Sequence, residues 1–468
     1  MRRDGAGGGR FHPDERTAVV CAVLLAAAAA GRRPSEYLLG AAIVGLAALI
    51  IIRWPSARIP SLILAALVMP LQFYVGRSVA LNPAMLILSG LAALWLVEML
   101  ISRHVALTPS RLNRPLALFV ALGPLSLGIG LATWDPAVAR PAGFIVVQFA
   151  QWAVFALSAL ALWLTAGLLT DERQLARPTF FFLGLAGTLA ILQALPATRP
   201  LVARLATLAV DRAPFWLLLT GLAGGQLLFN PKLSKGWKRF LLVALGAVVF
   251  YSFFLRRSSA STWLSVAAAA TVLAWLRWPR VRWFAVAVLA VLLVVGVAGS
   301  ALYSFAGGEA EWEESGGSRL ALSGRVVEVT LRNPITGLGP AAYRPYAGAR
   351  PLVYGGAYYA VPLVSSHNNY VDIFSHVGIV GLGVFVWFAA EVVRSCQRLH
   401  RRIAPGFSAG YLHGMLATWT GCLVLMMFAD WLLPFVYNIG LPGFQASVLV
   451  WLFLGGLVVL ENAVPTKA

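Results

Sequence analysis

The residues of this chain that could do chemistry are gathered between Ser318 and Leu382. His367 sits in the run Ser365-Ser366-His367-Asn368-Asn369-Tyr370, directly ahead of the apolar stretch Val371–Ala390. Arg319, Arg325, Arg332, Arg344 and Arg350 surround it in sequence, and a second cationic turn, Arg256-Arg257-Ser258, lies upstream. Ser365 and Ser366 are of the type that caps a helix start, which puts His367 in or beside a first turn. The positive end of a helix disfavours imidazolium. A neutral imidazole there can take a proton from a hydroxyl; a polar residue at a membrane interface fits the same spacing. Arginines hold planar anions such as phosphate or carboxylate through paired N–H donors, and the loop contains no lysine. At a membrane surface, the large anion available is a lipid diphosphate.

Composition says what must position these groups. Of 468 residues, 59% are hydrophobic and only 12% charged, with mean hydropathy +0.79, which excludes a soluble domain. Apolar runs long enough to cross a ~30 Å hydrocarbon core recur almost end to end, and the alternation of a β-barrel is absent. The expected fold is all-α, a polytopic helical membrane protein of about 12–14 spans with one large outer loop, periplasmic by the resemblance given below. Candidate spans fall at 17–30, 37–52, 60–75, 84–101, 115–133, 142–170, 179–195, 213–229, 240–255, 262–276, 283–305, 371–390, 408–429 and 441–461. The first two are short and fit a hairpin or tilted pair, and Val202–Val210 reads as an interfacial piece. The chain thus divides into N-terminal helices (1–305), a loop carrying the site (306–370) and C-terminal helices (371–468).

The net charge of +19 would suggest nucleic acid in a soluble protein. Here the cations punctuate apolar runs, so they read as topology signals and contacts with anionic membrane lipids, not nucleic acid. With the N-terminus in the cytoplasm, most of the 37 Lys and Arg residues fall on the cytoplasmic side. Half of the remainder is Arg256, Arg257 and the five loop arginines, which therefore share the outer face and oppose the sorting rule. Pairing with Glu309, Glu311, Glu313, Glu314 and Glu328 would neutralise the loop; snorkelling to lipid phosphate is the plain alternative for Arg256 and Arg257.

Other residues offer less. Cys21, Cys396 and Cys422 form neither a disulfide framework nor a metal-site spacing. The six histidines contain no His-x-x-x-His pair, so no metal and no cofactor are expected. His12, His104, His376, His400 and His413 read as structural, with His376 bonding to a neighbouring helix. Gly378, Gly381 and Gly383 permit close helix packing, and Asn333–Pro340 reads as consecutive turns. Tyr343, Tyr346, Tyr354, Tyr358, Tyr359 and Tyr370 suit either sugar faces or an interfacial aromatic belt. Asp430-Trp431 and Tyr437-Asn438, in the last outer link, could approach His367.

Four motifs in order, Ser323-Gly324-Arg325, Arg332-Asn333-Pro334-Ile335-Thr336-Gly337-Leu338-Gly339, His367-Asn368-Asn369-Tyr370 and Gly378-Ile379-Val380-Gly381-Leu382, resemble the O-antigen ligase and polymerase superfamily. The resemblance implies a metal-independent, inverting glycosyltransferase at the periplasmic face of a bacterial inner membrane. Its donor would be an undecaprenyl-diphosphate-linked glycan, and its acceptor a glycan or lipid A-core. By that likeness His367 is the base, Arg325 a diphosphate-binding arginine, and Arg256 or Arg257 a second one, the choice between them open. Arg344, with Asn368 and Tyr370 beside His367, completes the expected diphosphate- and substrate-binding set. The family has about twelve spans, which questions the short first pair.

Ligase, polymerase and protein O-oligosaccharyltransferase differ only in acceptor, and no acceptor pocket is evident in the sequence. A lipid-linked glycan flippase is the reading from another class. It calls for charged groups along a mid-membrane path, whereas Glu98, Glu391, Asp430 and Glu461 lie near span ends.

Overall fold

The computed structural model describes residues 53–75, 79–103, 107–280, 283, 317–350, 352–354, 357–359 and 364–464. Two compact units divide the chain, Met1–Ser61 and Leu62–Ala468. Of the first, the described part is a 3-10 turn, Pro55–Ala57, and the start of helix α1, Arg58–Val68. The expected spans 17–30 and 37–52 lie outside the described residues, as does 283–305 beyond Trp283.

The helices that follow are α2 (Pro83–Ser102), α3 (Asn113–Ala132), α4 (Phe144–Leu168), α5 (Glu172–Ala194), α6 (Arg199–Leu205), α7 (Ala213–Phe229), α8 (Lys235–Phe250), α9 (Ala260–Arg277), α10 (Gly317–Thr330), α11 (Tyr343–Gly348), α12 (Asn369–His400), α13 (Phe407–Phe428) and α14 (Phe444–Ala463). Eight helical stretches among the described residues are long and apolar enough to cross a membrane. The protein is all-α and polytopic, as its composition predicts. Two short antiparallel hairpins accompany the helices, β1–β2 (Phe73–Val75, Val79–Leu81) and β3–β4 (Leu352–Tyr354, Ala357–Tyr359). The expected span 60–75 is therefore not one helix: α1 ends at Val68 and the chain enters β1. The piece at 202–210 is the end of α6 and a 3-10 turn, Leu208–Asp211.

Local sequence explains where helices begin. Asn82, Asp171, Ser234 and Asn368 each adopt extended backbone and accept an N–H of the first turn. Small residues then set how closely helices approach. A Cβ on Gly225 would lie 2.1 Å from the Gly410 carbonyl oxygen, so α7 and α13 cross nearly backbone to backbone. Helix α14 with its preceding turn is buried throughout its apolar window, making it the centre of the bundle.

One end of the bundle is tied by Asn82 Nδ2 to the Leu441 carbonyl (3.1 Å) and Arg319 Nη1 to the Phe428 carbonyl (3.4 Å). The other is tied by Arg398, which reaches Glu391 (3.6 Å) and Glu461 (3.2 Å), and by Ser110 on Glu461 (3.0 Å).

The feature that positions the site is a break in α12. Gly378 sits at φ 69°, ψ −171°, and the turn Asn333–Ala341 fills the opening. Leu338 N donates to the Ser375 carbonyl (2.8 Å), Ile379 N to the Pro334 carbonyl (2.9 Å), and Val380 N to the Ile335 carbonyl (3.3 Å). Added Cβ atoms would meet backbone at both glycines of the contact. On Gly378 the Cβ lies 2.1 Å from the Ile335 carbonyl oxygen, and on Gly337 (φ 78°) it lies 2.6 Å from the Gly378 nitrogen. The expected helix-packing role of the glycine series is thus corrected. Gly378 admits a loop, Gly381 would crowd only Val377 of its own helix, and a Cβ on Gly383 would meet nothing within 4 Å. Ser126 Oγ of α3 donates to the His376 carbonyl at 2.6 Å, satisfying a further group freed by the break.

Candidate active site

The two serines are not the cap of α12; Asn368 is. Its Oδ1 accepts from Tyr370 N (2.9 Å) and Val371 N (3.2 Å), and its Nδ2 donates to the Met427 carbonyl (3.1 Å). His367 is the residue before the cap, with φ +49°. Left-handed backbone costs a non-glycine residue roughly 1 kcal/mol or more and persists only where neighbours hold it. Here both neighbours are held. Ser366 Oγ donates to Asp372 Oδ1 (2.7 Å) and accepts from Asn368 N (3.0 Å), while the Ser366 carbonyl accepts from Ser323 Oγ (2.7 Å). Tyr343 OH donates to the same Asp372 oxygen at 3.0 Å, and Asp372 is buried.

The link between α13 and α14 supplies the other wall. Asp430 Oδ1 lies 3.9 Å from His367 Nδ1. The Asn438 amide donates to Asp430 at 3.0 and 3.1 Å and stands 3.3 Å from His367 Nδ1. Asn369 pins this link: its Oδ1 accepts from Leu432 N and Leu433 N (3.2 Å each) and its Nδ2 donates to the Leu433 carbonyl (2.8 Å). The Asp430 side chain is 2% exposed and that of His367 30%, so the imidazole lies between a buried carboxylate and solvent. Burial is the main influence on His367 and lowers its pKa; nearby Arg319 lowers it further, and Asp430 opposes both. Burial therefore favours the neutral ring. Burial likewise raises the Asp430 carboxyl, against the hydrogen bond from Asn438 and the proximity of His367. Nδ1 faces Asp430 and Asn438, which leaves Nε2 for a ligand.

The arginines take separate places. Arg319 reaches the Phe428 carbonyl and its charge acts on His367. Arg325 is mostly covered and pairs along α10 with Glu328 at 3.4 Å, one of the five glutamates expected to neutralise the loop. Glu309, Glu311, Glu313 and Glu314 lie outside the described residues. Arg332 pairs with Asp135 and lies over the Tyr346 ring at 5.3 Å. Arg344 donates to the Tyr437 carbonyl at 3.0 Å with its guanidinium 4.7 Å over the Tyr437 ring, so it braces the turn that carries Asn438. Arg256 Nε donates to Tyr251 OH at 3.2 Å, whereas Arg257 contributes its carbonyl to Trp263 Nε1 at 2.9 Å.

Several residues expected to meet a ligand make contacts within the protein. Asn368 is a helix cap, and Tyr370 OH donates to the Leu423 carbonyl at 2.8 Å. Tyr343 and Tyr346 are buried, the first stacked on Phe435 at 4.7 Å and the second packed 4.6 Å from Trp134, so neither offers a face to a sugar. His376 accepts the Ala341 N–H at Nδ1 (3.2 Å), bonding the docked loop, not a neighbouring helix. Sequence reasoning passed over Asn369, Asp372 and the proximity of Arg319 to His367. An aspartate inside an apolar run was the one available signal, because burial there demands a partner.

Residues 241–386 match the model of the O-antigen ligase family. No curated protein matches the chain. The matched interval runs from α8 through the Arg256-Arg257 turn, the docked loop and His367, and ends beyond the break in α12. The likeness read from Ser323 to Leu382 therefore reaches upstream to the second cationic turn. Over that stretch this multi-pass membrane protein is similar to the O-antigen ligase family.

Proposed function

We propose that the chain is an inverting glycosyltransferase that moves a glycan from an undecaprenyl-diphosphate carrier to an acceptor hydroxyl at the periplasmic face of the inner membrane. The observation that carries this reading is His367, neutral, half-exposed and backed by Asp430 and Asn438. With Nδ1–H turned to the Asp430 carboxylate, Nε2 takes the proton of the acceptor hydroxyl. The hydroxyl oxygen attacks the anomeric carbon, the bond from that carbon to the diphosphate oxygen breaks, and the lipid diphosphate departs with the bonding pair. One displacement inverts the anomeric centre. Asp430 stabilises the imidazolium formed, as the orienting carboxylate of a triad does. Arginines beside the centre, among them Arg319, whose charge acts on His367, balance the charge on the leaving group. The acceptor is a sugar hydroxyl of a glycan or of lipid A-core.

Purified protein offered a lipid-diphosphate-linked glycan with alternative acceptors should release lipid diphosphate and form the transferred product. Undiminished transfer by His367→Ala would remove the base from this reading.

A further inference from the structure

The end of the bundle away from His367 holds a cavity that the transfer reaction does not use. Helix α13 links the two ends. The carbonyl of Phe428, its last residue, accepts from Arg319, whereas Ser408, about 30 Å away by helical rise, lines the cavity. The space is about 540 Å³ and lies where α5 and α13 begin and α14 ends. Leu460 and Val464 give it an apolar wall, and Asp171, Glu172 and Arg173 give it charges of both signs.

Its polar groups are incompletely matched within the protein. Asp171 caps α5 through Oδ1, which accepts from Gln174 N at 2.8 Å. Among the described residues Glu172 and Arg173 enter no ion pair, whereas Glu391 and Glu461 at the same end are paired with Arg394 and Arg398. Ser408 is 6% exposed, and its Oγ has no hydrogen-bond partner. A buried hydroxyl in that state is costly, so a ligand that bonds it is favoured. Arg402 donates Nη2 to the carbonyl of Val464 on the cavity wall, and its Nε is likewise buried without a partner. Helix α13 follows Gly406, which has no side chain to cap the first N–H groups.

These groups sort by sign. Ser408, Arg173 and the uncapped start of α13 suit a phosphate. Glu172 and Oδ2 of Asp171 suit an ammonium. A simple anion would meet two carboxylates, and a simple cation would leave the donors unmatched. A phospholipid whose phosphate carries an amine matches both, and its glycerol would lie against Leu460 and Val464. We propose that this cavity binds the aminoethyl phosphate headgroup of phosphatidylethanolamine, with the phosphate on Ser408 and Arg173 and the ammonium on Glu172 and Asp171. The site is separate from the His367 centre, and its test needs no transfer assay.

Full-length protein is delipidated in detergent and single lipids of matched chains are added back. Bound lipid is followed by native mass spectrometry and stability by the thermal midpoint. Phosphatidylethanolamine should bind about tenfold more tightly than phosphatidylglycerol, which keeps the phosphate but has no amine. It should exceed phosphatidylcholine by a similar factor, because a quaternary amine donates no hydrogen bond. Glu172→Gln should remove most of that preference. Ser408→Ala should weaken phosphatidylethanolamine binding roughly fivefold, yet leave the lipid-free midpoint at or above wild type, because the hydroxyl it removes has no partner in the protein. Equal binding of the three lipids, an unchanged preference in Glu172→Gln, or an unchanged affinity in Ser408→Ala would overturn the proposal. Equal protection by soluble phosphoethanolamine at the same concentration would also overturn it, by assigning the cavity to a small zwitterion and not to a lipid.

Discussion

Asp430 Oδ1 stands 3.9 Å from His367 Nδ1, and the Asn438 amide spans the gap with contacts to both residues. At that separation the carboxylate attracts the ring without holding a direct hydrogen bond. The 3.3 Å contact of Asn438 with Nδ1 leaves the ring tautomer open. Proton acceptance at Nε2 requires the tautomer with Nδ1–H turned to Asp430. Asp430→Asn removes the charge that favours it and should lower kcat by about 10²-fold or more, in line with the loss of a triad's orienting carboxylate. Steady-state kinetics with saturating donor and acceptor check this.

The pH profile follows from the same pair. The base must be unprotonated, and burial places the His367 pKa below its ordinary 6.5. Log kcat/KM should therefore be level through neutrality and fall only on the acid side, as pH drops through that lowered value. Asp430 raises the His367 pKa, so in Asp430→Asn the acid limb should move to still lower pH. A limb that moves upward would contradict the assignment.

Arg319 and Arg325 can be separated by substitution. Arg319 acts electrostatically on His367, whereas Arg325 is mostly covered and pairs with Glu328. Arg319→Ala should reduce kcat/KM for the donor about tenfold or more, and Arg325→Ala by less. The comparison needs only initial rates at subsaturating donor.

The loop contact at the helix break predicts a stability difference between two glycines of one helix. Gly378→Ala places a Cβ 2.1 Å from the Ile335 carbonyl oxygen at a positive φ, and should destabilise by about 3 kcal/mol or more. Gly383→Ala, whose Cβ meets nothing within 4 Å, should leave the thermal midpoint in detergent within a degree or so of wild type.

Asn369→Ala should behave as a fold and site variant together. It leaves the buried Leu432 and Leu433 N–H groups unpaired and frees the link that carries Asp430. A loss of about 2 kcal/mol is expected. The surviving folded fraction should also show a lowered kcat, measured after normalising to monodisperse protein.

Much of this was legible in the sequence. Hydropathy marks α13 and α14 to within a few residues, since a membrane span reads as a continuous apolar run bounded by charge. His367 was legible because it stands where a polar run meets such a span. The break at Gly378 was not. A positive φ inside an apolar helix leaves no mark on periodicity, and the partner that fills it lies some forty residues upstream. Span 60–75 failed for the converse reason, because hydropathy does not distinguish a short helix followed by a hairpin from one longer helix. Arg319 was hidden among five similar residues, and only the three-dimensional approach of the start of α10 to the end of α13 singles it out.

The opening in α12 also bears on how the protein is made. Gly378 lies nine residues into the helix, about 14 Å from its start. Backbone groups freed at that depth have no water to bond and find partners in Pro334, Ile335 and Leu338. A nascent chain in which α12 has entered the bilayer therefore carries an unfinished helix until residues upstream of it return and seat themselves. The hydrogen bonding of α12 is complete only once the Asn333–Ala341 turn is seated against it, which ties the finishing of this helix to the return of an upstream segment.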